Sequence, residues 1–186
     1  MILEFARNFK APELERIANL PLKFHSYGKP LPISPDPFWI TYYSNRGSIS
    51  FLRDCSTFMP EFAEYTTEFI REHTGLIIEE DKINFIRTVG SYRPHIDTSR
   101  SSAINIGLSG ADNGITRIGF SDSYDDFVTK YEEYRIQDGS AYLVNTSNVH
   151  EVEADTKKTV RYLVTVAVHE EFKSLETKIR EFANGT

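Results

Sequence analysis

The feature that most constrains this chain is a change of hydrophobic period along it. Between residues 80 and 170 apolar side chains recur at every second position, as in Ile104, Ile106 and Leu108 and again from Val160 to Val168. Alternation of this kind marks strands that bury one face only. Candidate strands are 83–89, 103–108, 115–120, 141–145 and 158–168, with turn signals at Asn113-Gly114 and Asp138-Gly139. On either side the period is helical. In 57–74, Thr57 is a candidate N-cap, Pro60 suits the first turn, and Phe62, Tyr65, Phe69, Ile70 and His73 share a face before Gly75. In 171–183, Phe172, Leu175, Ile179 and Phe182 form one stripe. Short half-buried strands need a second layer, so the expected class is α+β, mainly β: a sandwich or barrel with helices packed outside it.

The first 79 residues read as a helical and coil region packing on that barrel. A short helix carries Leu14, Ile17 and Ala18, the proline-rich stretch from Pro21 to Pro37 reads as ordered coil or strand edge, and Trp39, Tyr42 and Tyr43 resemble strand material. The acidic, tyrosine-rich segment 121–139 is too long for a turn and suits a lid or a strand pair. One domain over 1–186 fits the length, with the strand core at 80–170. The net charge of −6 without a basic block argues against nucleic acid or an anionic membrane as partner. The single cysteine, Cys55, and a start without an apolar leader core suggest a cytoplasmic protein.

The chemistry concentrates in Tyr92-Arg93-Pro94-His95-Ile96-Asp97-Thr98-Ser99-Arg100. In extended backbone, residues two apart point to one side, so His95 and Asp97 can face one ion. A distant histidine would complete a facial triad and leave three coordination positions open. His73 has a sufficient role at a helix C-terminus, His169 opens the last helix and His25 lies in the proline-rich coil. His150, between two strands, is the best candidate. Arg161 is a second clue: it stands on a strand face with Leu163, Thr165 and Ala167, where a permanent charge needs a partner. A bound carboxylate would serve, and so would solvent at the strand end, or Glu151 or Asp155. Thirdly, Ala103, Asn105 and Gly107 leave one strand face small, with space for a ligand or for a neighbouring backbone.

The order of these elements resembles that of 2-oxoglutarate-dependent dioxygenases built on a double-stranded β-helix (jelly-roll, cupin-like). Arg93 to Leu108 is similar to the aspartyl/asparaginyl β-hydroxylase branch, which includes hydroxylases of free proline. The resemblance spans about residues 80–170. It implies Fe(II) held by His95, Asp97 and His150, with 2-oxoglutarate and O2 as cosubstrates. Arg161 would take the far carboxylate of 2-oxoglutarate, with Asn105 and, by a loose alignment, Asn84 assisting. It further implies hydroxylation of an amino acid or a peptidyl residue, with Asp97 favouring hydroxylation over halogenation. Two other readings stand beside it: a non-catalytic cupin-like metal- or ligand-binding barrel, and a divalent-metal enzyme of the cupin type that does not use 2-oxoglutarate. Asp122, Asp125 and Asp126 read as a solvated acidic loop, and Cys55 as a buried thiol. Substrate and oligomeric state are not legible.

Overall fold

The computed structural model describes residues 1–26, 29–30 and 36–185. In chain order the elements are β1 (Ile2–Ala6), α1 (Leu14–Ala18), β2 (Leu22–Phe24), β3 (Trp39–Ser44), β4 (Gly47–Leu52), α2 (Cys55–Phe58) and α3 (Pro60–Thr74). Then come β5 (Ile83–Gly90), β6 (Tyr92–His95), β7 (Ser102–Ser109), β8 (Gly114–Gly119), α4 (Tyr124–Phe127), β9 (Tyr131–Tyr134), β10 (Ala141–Asn145), β11 (His150–Ala154), β12 (Val160–Val168) and α5 (Phe172–Gly185). The five expected strands correspond to β5, β7, β8, β10 and β12.

Among the described residues the strands make two sheets. The larger has the order β1-β10-β7-β12-β5-β4-β3-β2, the smaller β6-β11-β8-β9. From β5 to β12 the chain crosses repeatedly between them, so that β5, β7, β10 and β12 are interleaved in one sheet and β6, β8, β9 and β11 in the other. That interleaving is a double-stranded β-helix. Antiparallel pairing holds throughout this core, with β12 seated between β5 and β7.

The alternation expected along the strands sorts side chains into two clusters. Ile83, Phe85, Ile104, Ile106, Leu143, Val164 and Val166 face the helices and pack with Phe62, Phe69 and Ile70 of α3 and Phe172, Leu175 and Ile179 of α5. Ile49, Ile86, Ile118, Val144 and Leu163 face the other way, into the space between the sheets. A strand with opposite faces buried on two different layers explains why β12 carries Arg161 on its inner side without disturbing the helical side.

The N-terminal region differs from expectation. Its helix α3 packs on the larger sheet, but the region is not helix and coil alone: β1, β2, β3 and β4 extend that sheet on both edges. Residues 27–28 and 31–35 of the proline-rich stretch lie outside the described residues. Thr57 does not cap the long helix. It belongs to the separate turn α2, where its hydroxyl donates to Asp54 Oδ2 at 2.7 Å, and α3 begins at Pro60. Gly75 ends α3 at φ +70°, the left-handed conformation a glycine adopts without cost. His169 precedes α5 by three residues, in the connection from β12. Segment 121–139 holds one short helix and one strand, β9, which adds to the edge of the smaller sheet beside β8. No described helix is long and apolar enough to cross a membrane.

Candidate functional site

The site begins with the pairing of two short strands. β6 and β11 are antiparallel, and His95 stands directly opposite His150 in their register. Partners in register project to the same face, and the two rings have centroids 4.2 Å apart. The pairing shifts between His150↔His95 and Val152↔Tyr92. Pro94, which has no amide proton to give a ladder, falls within that irregularity. Asp97 follows in a loop laced to the β10–β11 connection: its amide donates to Thr146 O at 3.2 Å, and the amides of Thr146 and Ser147 donate to Ser101 O. The ligand atoms of His95, Asp97 and His150 all lie within 4.8 Å of one another. Asp97 Oδ1 is 3.7 Å from His95 Nε2 and 4.0 Å from His150 Nε2.

Both imidazoles are oriented from behind. His95 Nδ1 is 3.0 Å from Arg93 O and His150 Nδ1 is 2.9 Å from Asn148 O. A carbonyl can only accept, so each Nδ1 carries the proton and each Nε2 is left with a lone pair facing the space it shares with Asp97 Oδ1. Burial lowers the His95 pKa, and burial together with His95 lowers that of His150 to about 4. Burial alone would raise the Asp97 carboxyl. The positive charge of Arg100 and its hydrogen bond, with the imidazoles adding to them where protonated, overcome it and hold the group below its ordinary value. Near neutral pH the cluster therefore offers two neutral imidazoles and one carboxylate, the donor set of a 2-His-1-carboxylate metal site.

Arg161 is 1% exposed. Its Nε donates to Ala111 O at 2.9 Å, while both terminal nitrogens are buried without a hydrogen-bond partner. Glu151 and Asp155, the two carboxylates offered by the sequence as partners, are engaged elsewhere. Glu151 receives Arg46 at 2.8 Å and Arg117 at 3.1 Å, and Asp155 receives Arg135 at 3.1 Å. Arg161 lines a narrow cavity between the sheets that His95, His150, Arg100, Asn105 and Thr88 line as well. Asn105 Oδ1 and Thr88 Oγ1 are also buried without a partner. Orphaned donors and acceptors gathered round one space are what a polar ligand would satisfy.

The small face of β7 has two explanations at two positions. At Gly107 a Cβ would stand 2.2 Å from Gln137 O, so a neighbouring backbone accounts for that glycine. Asn105, two residues earlier, borders the cavity. Asn84 does not. Its amide accepts from the Asp54 backbone at 3.1 Å and donates to Lys82 O at 3.0 Å, and it borders a separate pocket with Asp97 and Arg100. Thr88 was not anticipated from the sequence. A threonine on an alternating strand carries no signal until its register neighbour is known, and that neighbour is Arg161.

On the other side of His95 and Asp97 lies an outer cleft of about 490 Å³, bordered by Tyr42, Phe51, Tyr92, Arg53 and Arg93. The remaining histidines stand apart. His73 is hydrogen-bonded to Phe69 O within its helix, His25 meets the edge of Tyr42, and His169 is exposed. Asp122, Asp125 and Asp126 are exposed, with Asp126 bonded to Ser121 and Ser123.

No family model matches the sequence, and no curated protein matches it. Solved structures do. An oxidoreductase of the 2OG-Fe(II) oxygenase family from Burkholderia pseudomallei superposes with a TM-score of 0.51 at 14% identity, over 86% of this chain and 82% of that one. The non-haem α-ketoglutarate-dependent epimerase SnoN of nogalamycin biosynthesis gives a TM-score of 0.45 at 11% identity, over 68% of this chain and 64% of its own length. A variant of Bacillus subtilis oxalate decarboxylase OxdC gives 0.40 at 13% identity, over 69% of this chain and 27% of that one. The chain thus spans less than two thirds of the epimerase and about a quarter of the decarboxylase. The Burkholderia likeness, extending over most of both chains, shows that this chain has the double-stranded β-helix fold.

Proposed function

We propose that this protein is an Fe(II)- and 2-oxoglutarate-dependent dioxygenase that hydroxylates an unactivated C–H bond of an amino acid or a peptidyl residue. One observation carries the reading. A buried guanidinium with two unpartnered nitrogens shares a cavity with two imidazoles whose Nε2 atoms converge with a carboxylate. Neither half is informative alone. Together they fit a metal chelated by one end of a dicarboxylate whose other end is bound by arginine, as a planar guanidinium binds a carboxylate through two parallel hydrogen bonds. A non-catalytic barrel would leave the guanidinium unexplained. The Burkholderia fold neighbour, from the 2OG-Fe(II) oxygenase family, agrees with the reading.

His95, Asp97 and His150 would hold the metal, and Arg161, with Thr88 and Asn105 beside it, would hold and orient the cosubstrate. Asn84, engaged with backbone, is left to brace the β4–α2 connection. When bound, Fe(II) with 2-oxoglutarate and O2 supplies the oxidising chemistry, releasing succinate and carbon dioxide. The chain positions the partners and excludes water: Ile86, Ile136, Val144 and Leu163 wall the inner cavity. Substrate would enter by the outer cleft, where Arg53 and Arg93 suit a carboxylate and the rings of Tyr42 and Phe51 suit an apolar body. The test is aerobic incubation with Fe(II), 2-oxoglutarate and a panel of amino acids and peptides, following succinate. We expect metal- and 2-oxoglutarate-dependent release that His150→Ala abolishes. Undiminished release from His150→Ala would overturn the assignment.

A further inference from the structure

Asp97 has two carboxylate oxygens, and the structure gives them different surroundings. Oδ1 faces the imidazoles. Oδ2 accepts a hydrogen bond from Arg100 Nε at 2.6 Å, and the same guanidinium donates through Nη1 to Thr165 Oγ1 at 2.9 Å. Arg100 is fixed from both directions. Its own loop is tied to the β10–β11 connection, with Thr146 Oγ1 donating to Arg100 O at 3.4 Å, and Thr165 stands on β12, the strand that carries Arg161. The arginine side chain is only 14% exposed, so solvent competes weakly for these bonds.

From this we infer that Arg100 is a positioning residue that reserves Oδ2 and confines Asp97 to a single donor oxygen toward the metal. The inference rests on the metal-centre reading above and adds the reason such a clamp would matter. Two imidazoles and one carboxylate oxygen leave three positions of an octahedron open, whereas a carboxylate binding through both oxygens leaves two. A chelating oxo-acid and dioxygen together need three. The fork of an arginine can hold Oδ2 and Thr165 at once; a lysine, a point donor on a flexible stem, can restrain the carboxylate but not both groups with the same geometry.

Co(II) titrated into metal-free protein tests this without turnover. Affinity comes from calorimetry and coordination from the visible absorption of the bound ion, for the wild type, Arg100→Ala, Arg100→Lys, Thr165→Val and His95→Ala. Wild type should bind one Co(II) and His95→Ala should lose it. Arg100→Ala should weaken binding by about 10- to 100-fold, the usual effect of removing a group that orients a metal ligand, and should change the spectrum. Arg100→Lys should recover part of the affinity, and Thr165→Val should shift the spectrum in the same direction by less. Wild-type affinity and spectrum in Arg100→Ala would overturn the clamp while leaving the metal centre standing. If Arg100→Ala does not fold, an unshifted spectrum in Thr165→Val overturns it instead. Failure of the wild type to bind Co(II) would remove the metal centre and the clamp together.

Discussion

An arginine that is 1% exposed and has two unbonded nitrogens works against the stability of the chain that contains it. Its charge cannot be relieved by losing a proton, and burial pulls against the charged form. Arg161→Met keeps most of the volume and removes the charge. In metal-free protein without 2-oxoglutarate this substitution should raise the melting temperature, by several degrees if the relief is about 1–3 kcal/mol. It should also weaken 2-oxoglutarate binding by about 10- to 100-fold, the size expected for lost hydrogen bonds to a charged group. A variant less stable than the wild type and binding 2-oxoglutarate equally well would contradict both. His150 gives a pH dependence. Its folded value of about 4 lies below the ordinary 6.5, so as pH falls below 6.5 the unfolded chain takes up a proton that the folded chain refuses. Stability should therefore decline from pH 6.5 toward 4, and the lowered Asp97 value acts in the same direction at the acid end. Urea midpoints of metal-free protein should fall over that range, and less steeply in His150→Gln. At this scale much of the site was legible. His-x-Asp, an isolated histidine between strands and an arginine among apolar neighbours announce themselves by residue type. Thr88 did not, and Arg100 read only as a candidate to line the cleft, because their meaning comes from Arg161, 73 residues from Thr88, and from Thr165, 65 residues from Arg100.

Long alternating strands and the two long helices were readable because their period repeats often enough to be unambiguous. β6 and β11 were not, and they carry the imidazoles. Each is short, their pairing is irregular, and β6 contains Pro94, which counts against a strand when pairing is unknown. Trp39, Tyr42 and Tyr43 marked β3, but β1 and β4 were missed as sheet members for a related reason: membership is decided by partners far along the chain, such as Leu143 opposite Leu3. The acidic residues of 121–139 are solvated as expected, but their segment supplies a strand to the smaller sheet. Packing between elements sets its own test at Gly107, where the β9–β10 connection passes so close that a Cβ would meet Gln137 O at 2.2 Å. Gly107→Ala should destabilise the fold by about 1–3 kcal/mol, the range for forcing atoms into a filled site. Chemical denaturation measures it. No loss of stability would mean that the connection stands off from β7.

Across the whole molecule the two sheets are held in register at several levels, and the candidate metal site sits where they meet. Apolar side chains fill the space between them. Glu151 of the smaller sheet is gripped by Arg46, from the β3–β4 turn of the larger, and by Arg117, whose pKa is raised by Glu133 and Glu151. The imidazoles come from the smaller sheet, Arg161, Thr88 and Asn105 from the larger, and Asp97 from a loop crossing between them. A cosubstrate touching both halves should therefore bind only when the metal completes its half. The decisive measurement is anaerobic calorimetric titration of the metal-free protein, first with Fe(II) and then with 2-oxoglutarate. The account predicts one Fe(II) per chain, then one 2-oxoglutarate that binds the loaded protein far more tightly than the metal-free protein and whose binding is weakened about 10- to 100-fold in Arg161→Met. Equal 2-oxoglutarate binding with and without the metal, or no Fe(II) uptake at all, would contradict it.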